Sequence, residues 1–357
     1  MSNKPMKVGL ALAGGGAKGA YHVGVIKALE ELNVVPDCIA GASIGALNGA
    51  MLAATSDMSK GYSRLHEVWS ALAQESPLKL SSKLPITMPL ILASGAAFRS
   101  MPILSAVLSA SSDIAEKFGY DTPLSQSEIL ESNNLVKLLE EYLSPADLRK
   151  GIPMYASVFE SSGAVSDLFG IALASFGIKN TDNSKYIHIQ EQSDANMQNA
   201  LLASAALPLL YRQRVIDGKK YSDGGQGDWQ GESGNIPVEP LIDAGCDLVI
   251  VAHLSNGSMW DRSRYPDANI IEVRPQSSIT RNSGLLSGAK DLLSFDSKKI
   301  PSWMDQGYTD AIHTLKRVFG AVEVNRNLQR SQQGLVDSLE NLSKPDVELE
   351  SAMSRLD

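Results

Sequence analysis

Three short stretches carry residues whose types and spacing can do chemistry. The first is LALAGGGAKGAYHVG, Leu10 to Gly24, in which Gly14, Gly16 and Gly19 satisfy the G-x-G-x-x-G spacing of phosphate-binding turns. The same backbone can instead present N–H donors to the oxyanion of a hydrolase. The second is GASIG, Gly41 to Gly45. It matches G-x-S-x-G, a tight strand-to-helix turn that presents its serine, here Ser43, at a helix N-terminus where the dipole favours developing negative charge. The third is YSDGGQG, in which Asp223 follows a hairpin and precedes Gly224 and Gly225, glycines that let the chain fold a carboxylate toward a cleft.

A dinucleotide site needs an acidic residue at the carboxyl end of the second strand to hold the ribose. Asp37 has roughly the right offset but precedes the strand CIAGA, so it falls at the amino end, and the carboxyl end carries Ser43. A P-loop lysine should follow the last glycine, whereas Lys18 precedes Gly19. The hydrolase alternative fits better: parallel neighbouring strands bring the glycine turn beside Ser43, so that the N–H groups of Gly15, Gly16 and Ala17 can hold a tetrahedral oxyanion.

Ser43 also needs a base. Asp223 is one candidate; His253, at the carboxyl end of the strand LVIVAHL, is the other, in the chain order of a Ser-acid-His triad. His22 sits on the helix after the glycine turn and reads as a helix-face residue, and His313 lies in the helical stretch YTDAIHTL as a surface or packing residue. Asp223, Asp228 and Glu232 among glycines faintly suggest a calcium loop, but their spacing is not that of an EF-hand.

These residues must be positioned by alternating elements. Lys7 to Leu12 reads as a strand, Gly19 to Leu32 as a helix, DCIAGA as a second strand and Ala46 to Ala54 as a small-residue helix. That order begins an α/β fold with a central, mostly parallel sheet flanked by helices. Helical pattern continues through Leu72, and again from Ser125 to Leu143. IPMYASVFE, YIHIQ, CDLVIVAHL and NIIEVRP read as strands, DANMQNALLASAALP as a helix stopped by Pro208, and RQRVIDGKKYSDGG as a hairpin turning at Asp217-Gly218. Beyond about Pro301 the pattern is helical, ending in a polar tail.

The chain has 357 residues, 43% of them hydrophobic, and a net charge of −8, enough to bury a large core and the wrong sign for a nucleic-acid partner. Cys38 and Cys246 are too few for a disulfide scaffold and read as buried free thiols in a reducing compartment. VGLALAG is too short for a secretory signal and leads into glycines, and no apolar run is long enough to span a membrane. The expectation is a cytoplasmic chain capable of peripheral membrane association. Between Pro77 and Ser112 the only charges are Lys79, Lys83 and Arg99, as in a lid or interfacial patch whose cations meet anionic headgroups; a buried core insertion is the alternative.

Taken in order, GGGAKG (Gly14 to Gly19), GASIG around Ser43, and DGG (Asp223 to Gly225) resemble the patatin-like phospholipases. ASAALP (Ala203 to Pro208), NIP (Asn235 to Pro237) and QGYTDA support the likeness, which spans Val8 to about Ala311. QGDWQGESG between DGG and Asn235 departs from the pattern, and the block from Pro77 to Ser112 matches none of it. The resemblance implies a three-layer patatin-like fold and a bacterial-type serine acyl hydrolase of phospholipase A or lysophospholipase type. Its dyad would be Ser43 as nucleophile and Asp223 as base, without a catalytic histidine. It also implies an oxyanion loop of Gly14, Gly15, Gly16, Ala17 and Gly19, an elbow flanked by Gly41 and Gly45, and support from Lys18, Gly224, Gly225 and Asn235. Lys18 would brace the loop or meet a lipid phosphate. No cofactor or metal is implied; the partner is a phospholipid or other acyl ester at a membrane surface, with room for a small-molecule or protein activator. The expected catalytic domain is 1–320, with 77–127 as the insertion and 321–357 as a C-terminal helix and tail. An acyltransferase using the same dyad, a His253-dependent triad esterase and a non-enzymatic lipid-binding scaffold are the alternatives.

Overall fold

Val8–Leu12 (β1), Cys38–Ala42 (β2) and Leu248–Ala252 (β7) are runs of apolar and small residues buried almost throughout, as strands covered on both faces must be. The computed structural model describes residues 6–55, 57–74, 141–206, 211–279, 297–320, 331–332 and 334. Ala20–Glu31 (α1), Ile44–Ala53 (α2) and Met58–Gln74 (α3) alternate with the first strands. Pro145–Lys150 (α4), Met154–Glu160 (β3), Ala164–Ser175 (α5), Lys185–His188 (β4) and Asp194–Ser204 (α6) follow. Arg214–Ile216 (β5), Lys219–Asp223 (β6), Glu239–Asp243 (α7) and Asn269–Val273 (β8) complete the sheet and its cover, before a helix over 299–311 (α8).

The eight strands form one sheet in the order β5-β6-β3-β2-β1-β7-β8, with β4 also paired to β3. Pairings β1–β2, β1–β7, β2–β3 and β7–β8 are parallel, whereas β4 and β6 run antiparallel to β3. A Cβ on Gly49 of α2 would meet Ile39 and Leu12, while a Cβ on Gly9 would meet Leu241 of α7. Gly9 and Leu12 point to opposite faces of β1. Helices therefore cover both faces, and the sheet is the middle of three layers.

Two corrections and one addition to the expected elements follow. The helix at Asp194 ends at Ser204, before Pro208 is reached. Cys38 is buried as expected, but Cys246 is partly exposed. Ala164–Ser175 is a helix that the pattern of the sequence did not flag. The Asp217-Gly218 hairpin has φ of 49° and 79°, the left-handed pair that a two-residue I′ turn demands. The insertion 77–127, with Lys79, Lys83 and Arg99, lies outside the described residues, as does the helical reading from Ser125 as far as residue 140.

By contacts the chain divides into two units, Met1–Ala311 and Ile312–Asp357; the described part of the second is helical at 312–320. Among the described residues no helix is long and apolar enough to cross a membrane.

QGYTDA belongs to α8, which closes on α1 at glycines. A Cβ on Gly24 would stand 1.9 Å from the Met304 carbonyl oxygen, and one on Gly307 would stand 2.1 Å from that of Tyr21. Tyr21 donates to Asp310 at 3.1 Å and Tyr308 to Glu31 at 2.5 Å across the same contact. Gly24→Ala and Gly307→Ala should each cost about 2–3 kcal/mol in denaturant unfolding by forcing backbones apart; unchanged midpoints would mean that the helices do not meet so closely.

Candidate active site

Ser43 begins where β2 ends. Its φ of 52° and ψ of −126° put a non-glycine residue in a strained conformation at the N-cap of α2. The turn exists only because its neighbours lack side chains. A Cβ on Gly41 would lie 2.4 Å from the Gly45 carbonyl oxygen, and one on Gly45 would lie 2.2 Å from that of Leu12. The Ser43 N–H donates to Ser204 Oγ at 3.0 Å, so the last residue of α6 holds the elbow from the far side. Ser43 is buried but for 8% of its surface.

The glycine loop lies against this turn. A Cβ on Gly14 would stand 3.2 Å from Ser43 Cβ and 2.4 Å from Asn235 Oδ1, so Gly14 is squeezed between Ser43 and Asn235. The Gly14 N–H donates to the Asn235 carbonyl at 3.2 Å. Gly16, at φ 58°, starts a 3-10 turn over Gly16–Gly19. Among the described residues, the N–H groups of Gly15, Gly16 and Ala17 have no hydrogen-bond acceptor, as expected of the first donors of a helical turn. Gly19 is pressed against Ile44 and Trp69, where a Cβ would come within 2.6 Å and 2.9 Å. Its carbonyl accepts from Asn48 Nδ2 at 3.0 Å, and Asn48 Oδ1 accepts from Trp69 Nε1 at 2.9 Å. The glycine loop and α2 are thus one packed body.

Asp223 ends β6. Parallel pairing sets Ala42 opposite Ser157 on one edge of β3, and antiparallel pairing sets Asp223 opposite Val158 on the other. Ser43, one residue beyond Ala42, and Asp223 therefore share a level across β3. The Asp223 N–H donates to the Ala206 carbonyl at 3.0 Å, and Oδ1 accepts from the Gly225 N–H at 2.8 Å. Gly224 must be glycine: a Cβ there would lie 2.2 Å from the Ser157 carbonyl oxygen.

Asp223 is 3% exposed, and burial raises its pKa to about 6 against the pull of the Ser43 hydroxyl and the Gly225 N–H. The Ser43 hydroxyl is close enough to act on the carboxylate, yet the contact falls short of a well-formed hydrogen bond. Oδ2 is left without a partner among the described residues. Such looseness is common before substrate tightens a site.

The histidines are placed elsewhere. His22 is fully buried, its Nε2 facing the Ala252 carbonyl at 3.3 Å and its Nδ1 facing Asn48 Nδ2 at 3.4 Å. Burial pushes its pKa down to about 3, so it is neutral and carries Nε2–H. It fastens α1 to β7 and Asn48 rather than meeting Ser43. His253 Nε2 stands 3.0 Å from Glu272 Oε2, in poor hydrogen-bond alignment, and its ring meets Trp260 edge-on. Burial lowers its pKa. It lines a cavity of about 80 Å³ with Gly14, Gly15, Lys18, Glu232 and Asn235, whose walls include neither Ser43 nor Asp223. His313 is exposed.

The inserted QGDWQGESG is a knot of its own. Asp228 accepts from Asn180 Nδ2 at 2.7 Å and pairs with Arg264 and Ser233, while Glu232 accepts from Ser258 Oγ at 2.6 Å and the Met259 N–H at 3.0 Å. Protein donors thus take up Asp228 and Glu232 of the faint calcium pattern, and among the described residues no cluster of metal-ligand side chains exists. Asp37 accepts from the Val8 N–H at 2.7 Å, at the amino end of the sheet and far from the glycine turn, which leaves the ribose role without a residue.

A patatin-like phospholipase family model matches residues 10–242, a stretch that contains the glycine loop, Ser43, Asp223 and Asn235. The chain belongs to the patatin-like phospholipase family. Relatives in sequence include the lysophospholipase nte1 of Aspergillus terreus, 56% identical over 57 residues, which are 16% of this chain and 4% of that protein. The Aspergillus oryzae lysophospholipase nte1 is 42% identical over 80 residues, 22% of this chain and 5% of that one. This chain thus spans only a small part of these relatives' length. Among solved structures, VipD from Legionella pneumophila aligns at 14% identity and TM-score 0.42, covering 88% of this chain and 67% of VipD. The type III effector protein ExoU aligns at 16% and 0.37, covering 88% and 54%.

Asn48 is the residue that the motifs did not reveal: it is the one polar side chain of a small-residue helix, a pattern that marks a buried hydrogen bond without saying to what. Ser204 falls within the ASAALP stretch, but its bond to the Ser43 N–H was not legible there.

The raised pKa has a sign. Because native Asp223 holds its proton more tightly than the unfolded chain, its burial is uncosted below about pH 4 and weakens the fold as pH rises through about 6. Asp223→Asn should therefore gain about 3 kcal/mol in denaturant unfolding at neutral pH and nothing at pH 4; equal stability of the two proteins at both pH values would refute the buried carboxylate.

Proposed function

We propose that this chain is a lipid acyl hydrolase, a serine carboxylic-ester hydrolase of phospholipase A or lysophospholipase type, working through Ser43 and Asp223. The observation that carries it is a buried carboxylate, one oxygen unpartnered, level with a serine held at a strained turn. Family membership and the lysophospholipase names of the relatives support the same chemistry.

In the first step the Ser43 hydroxyl gives its proton to Asp223 as Oγ bonds to the ester carbonyl carbon. The N–H groups of Gly15, Gly16 and Ala17 meet the resulting oxyanion. The intermediate collapses, the Asp223 proton passes to the leaving alkoxide oxygen, and an acyl-Ser43 remains. In the second step water gives a proton to Asp223 while its oxygen attacks the acyl carbon. Collapse releases the fatty acid, and Ser43 Oγ recovers the proton. A base with pKa about 6 is matched to this exchange near neutral pH, better than an exposed aspartate would be.

Asn235 shapes the loop through its contacts with Gly14 and Gly225, and Lys18 stands where it borders the loop's outer cavity. The substrate is a phospholipid or other acyl ester met at a membrane surface, in the cytoplasm, with an activator as a further element. The catalytic domain is taken as 1–320, followed by 321–357. His253, bound up with Glu272 and Trp260, is not needed in either step.

Lipid product analysis on mixed phospholipid vesicles tests this. The natural chain should release free fatty acid and lysolipid and Ser43→Ala none; equal release by both would overturn it. With an added lysolipid acceptor, acyl transfer in place of fatty-acid release would identify the acyltransferase alternative.

A further inference from the structure

Among the described residues six large apolar side chains are exposed, and three of them lie on α5, its exit and the β5–β6 hairpin: Phe169 at 46%, Ile178 at 68% and Val215 at 53%. These elements are tied together beside the site. Ser222 Oγ donates to Asp167 Oδ2 at 3.3 Å, Ser161 donates to the same carboxylate, and Gln213 Nε2 donates to Ser161 Oγ. Ser222 immediately precedes Asp223, and Gln226 Nε2 joins Ser222 Oγ at 2.8 Å to the Asp223 carbonyl at 2.9 Å.

Strand alternation then settles which side of the hairpin is outward. Lys220 and Ser222 share a face, and Lys220 pairs with Val215. Val215 and Lys220 therefore project from the face on which the first turn of α5 is pinned, and Lys220 lies about 10 Å along the strand from Asp223.

The charge on this ground opposes that of the chain. Lys179, Arg212, Arg214, Lys219 and Lys220 stand against Asp182 and Asp217, in a protein of net charge −8. Glu160 engages Lys185 and Lys219, and Asp217 accepts from Asn196. Lys179 and Lys220 have no ion-pair partner among the described residues. Exposed apolar side chains set among cations are the composition that binds the interface of an anionic bilayer, apolar groups entering the headgroup boundary and lysines meeting phosphates.

We propose that the face formed by α5 and the β5–β6 hairpin is the surface that this chain lays on an anionic phospholipid bilayer. It rests on the hydrolase reading for its purpose, since it sets the bilayer beside the Asp223 end of the site. Docking itself needs no turnover.

Vesicle flotation of the Ser43→Ala chain separates the two. It should float with vesicles of mixed phosphatidylcholine and phosphatidylglycerol, less with phosphatidylcholine alone, and less in high salt. Lys179→Glu with Lys220→Glu should reduce binding to the mixed vesicles about tenfold or more, and Phe169→Ser with Ile178→Ser should reduce binding to both kinds. With Ser43 present, both pairs of substitutions should hydrolyse a soluble short-chain ester as the natural chain does. Unchanged flotation of both variants, or a parent that ignores anionic vesicles and leaves a protein as the occupant, overturns the proposal. Flotation of the Ser43→Ala chain, with a natural chain that releases no fatty acid from the same vesicles, upholds the surface and sinks the hydrolase.

Discussion

The backbone of Ser43 is the constraint on which the rest depends. A serine at φ 52° and ψ −126° persists only where its surroundings leave no alternative. Here β2 feeds the turn, Gly41 and Gly45 let it close against the end of β1, and Ser204 accepts its N–H. Gly14 then fits against Ser43 Cβ, which brings the donors of the glycine loop to the same point. Chemistry is concentrated where three parallel strands end because one tight turn is stable only there.

The second half of the site exists at a cost to the fold. β6 could have ended in any small polar residue; it ends in a carboxylate that is nearly dry. Water would keep that group a weak base, and burial moves it toward neutrality. The Gly225 N–H on Oδ1 keeps the group oriented, and among the described residues Oδ2 has no equivalent partner, as the proposed base requires. Asp167, Ser222 and Gln226 brace the strand end that carries it, so the same network that steadies Asp223 also fixes α5 beside it.

Much of this was legible in the chain itself. Buried parallel strands announce themselves as continuous apolar runs, and glycine spacing announces turns that exclude side chains, so β1, β2, β7, the loop and the elbow stand out. The level placement of Ser43 and Asp223 does not, because it comes from two registers on opposite edges of β3 that join segments far apart in the chain. α5 was obscured by apolar residues on every side, with Gly170 in its middle and its one acid, Asp167, turned inward. His253 looked well placed because it follows a central strand, but its neighbours Glu272 and Trp260 come from later segments that the local pattern does not expose. Lys79, Lys83 and Arg99, the cations expected at the interface, lie outside the described residues; among those described, exposed apolar groups and cations occur together on the hairpin and the exit of α5.

The most direct test of the Ser43–Asp223 pairing is the rate at which a fluorophosphonate labels Ser43, followed by mass spectrometry across pH. The account predicts labelling at Ser43 that rises through an apparent pKa near 6, is lost in Asp223→Asn and is retained in His253→Gln. Labelling that survives in Asp223→Asn but disappears in His253→Gln would contradict it.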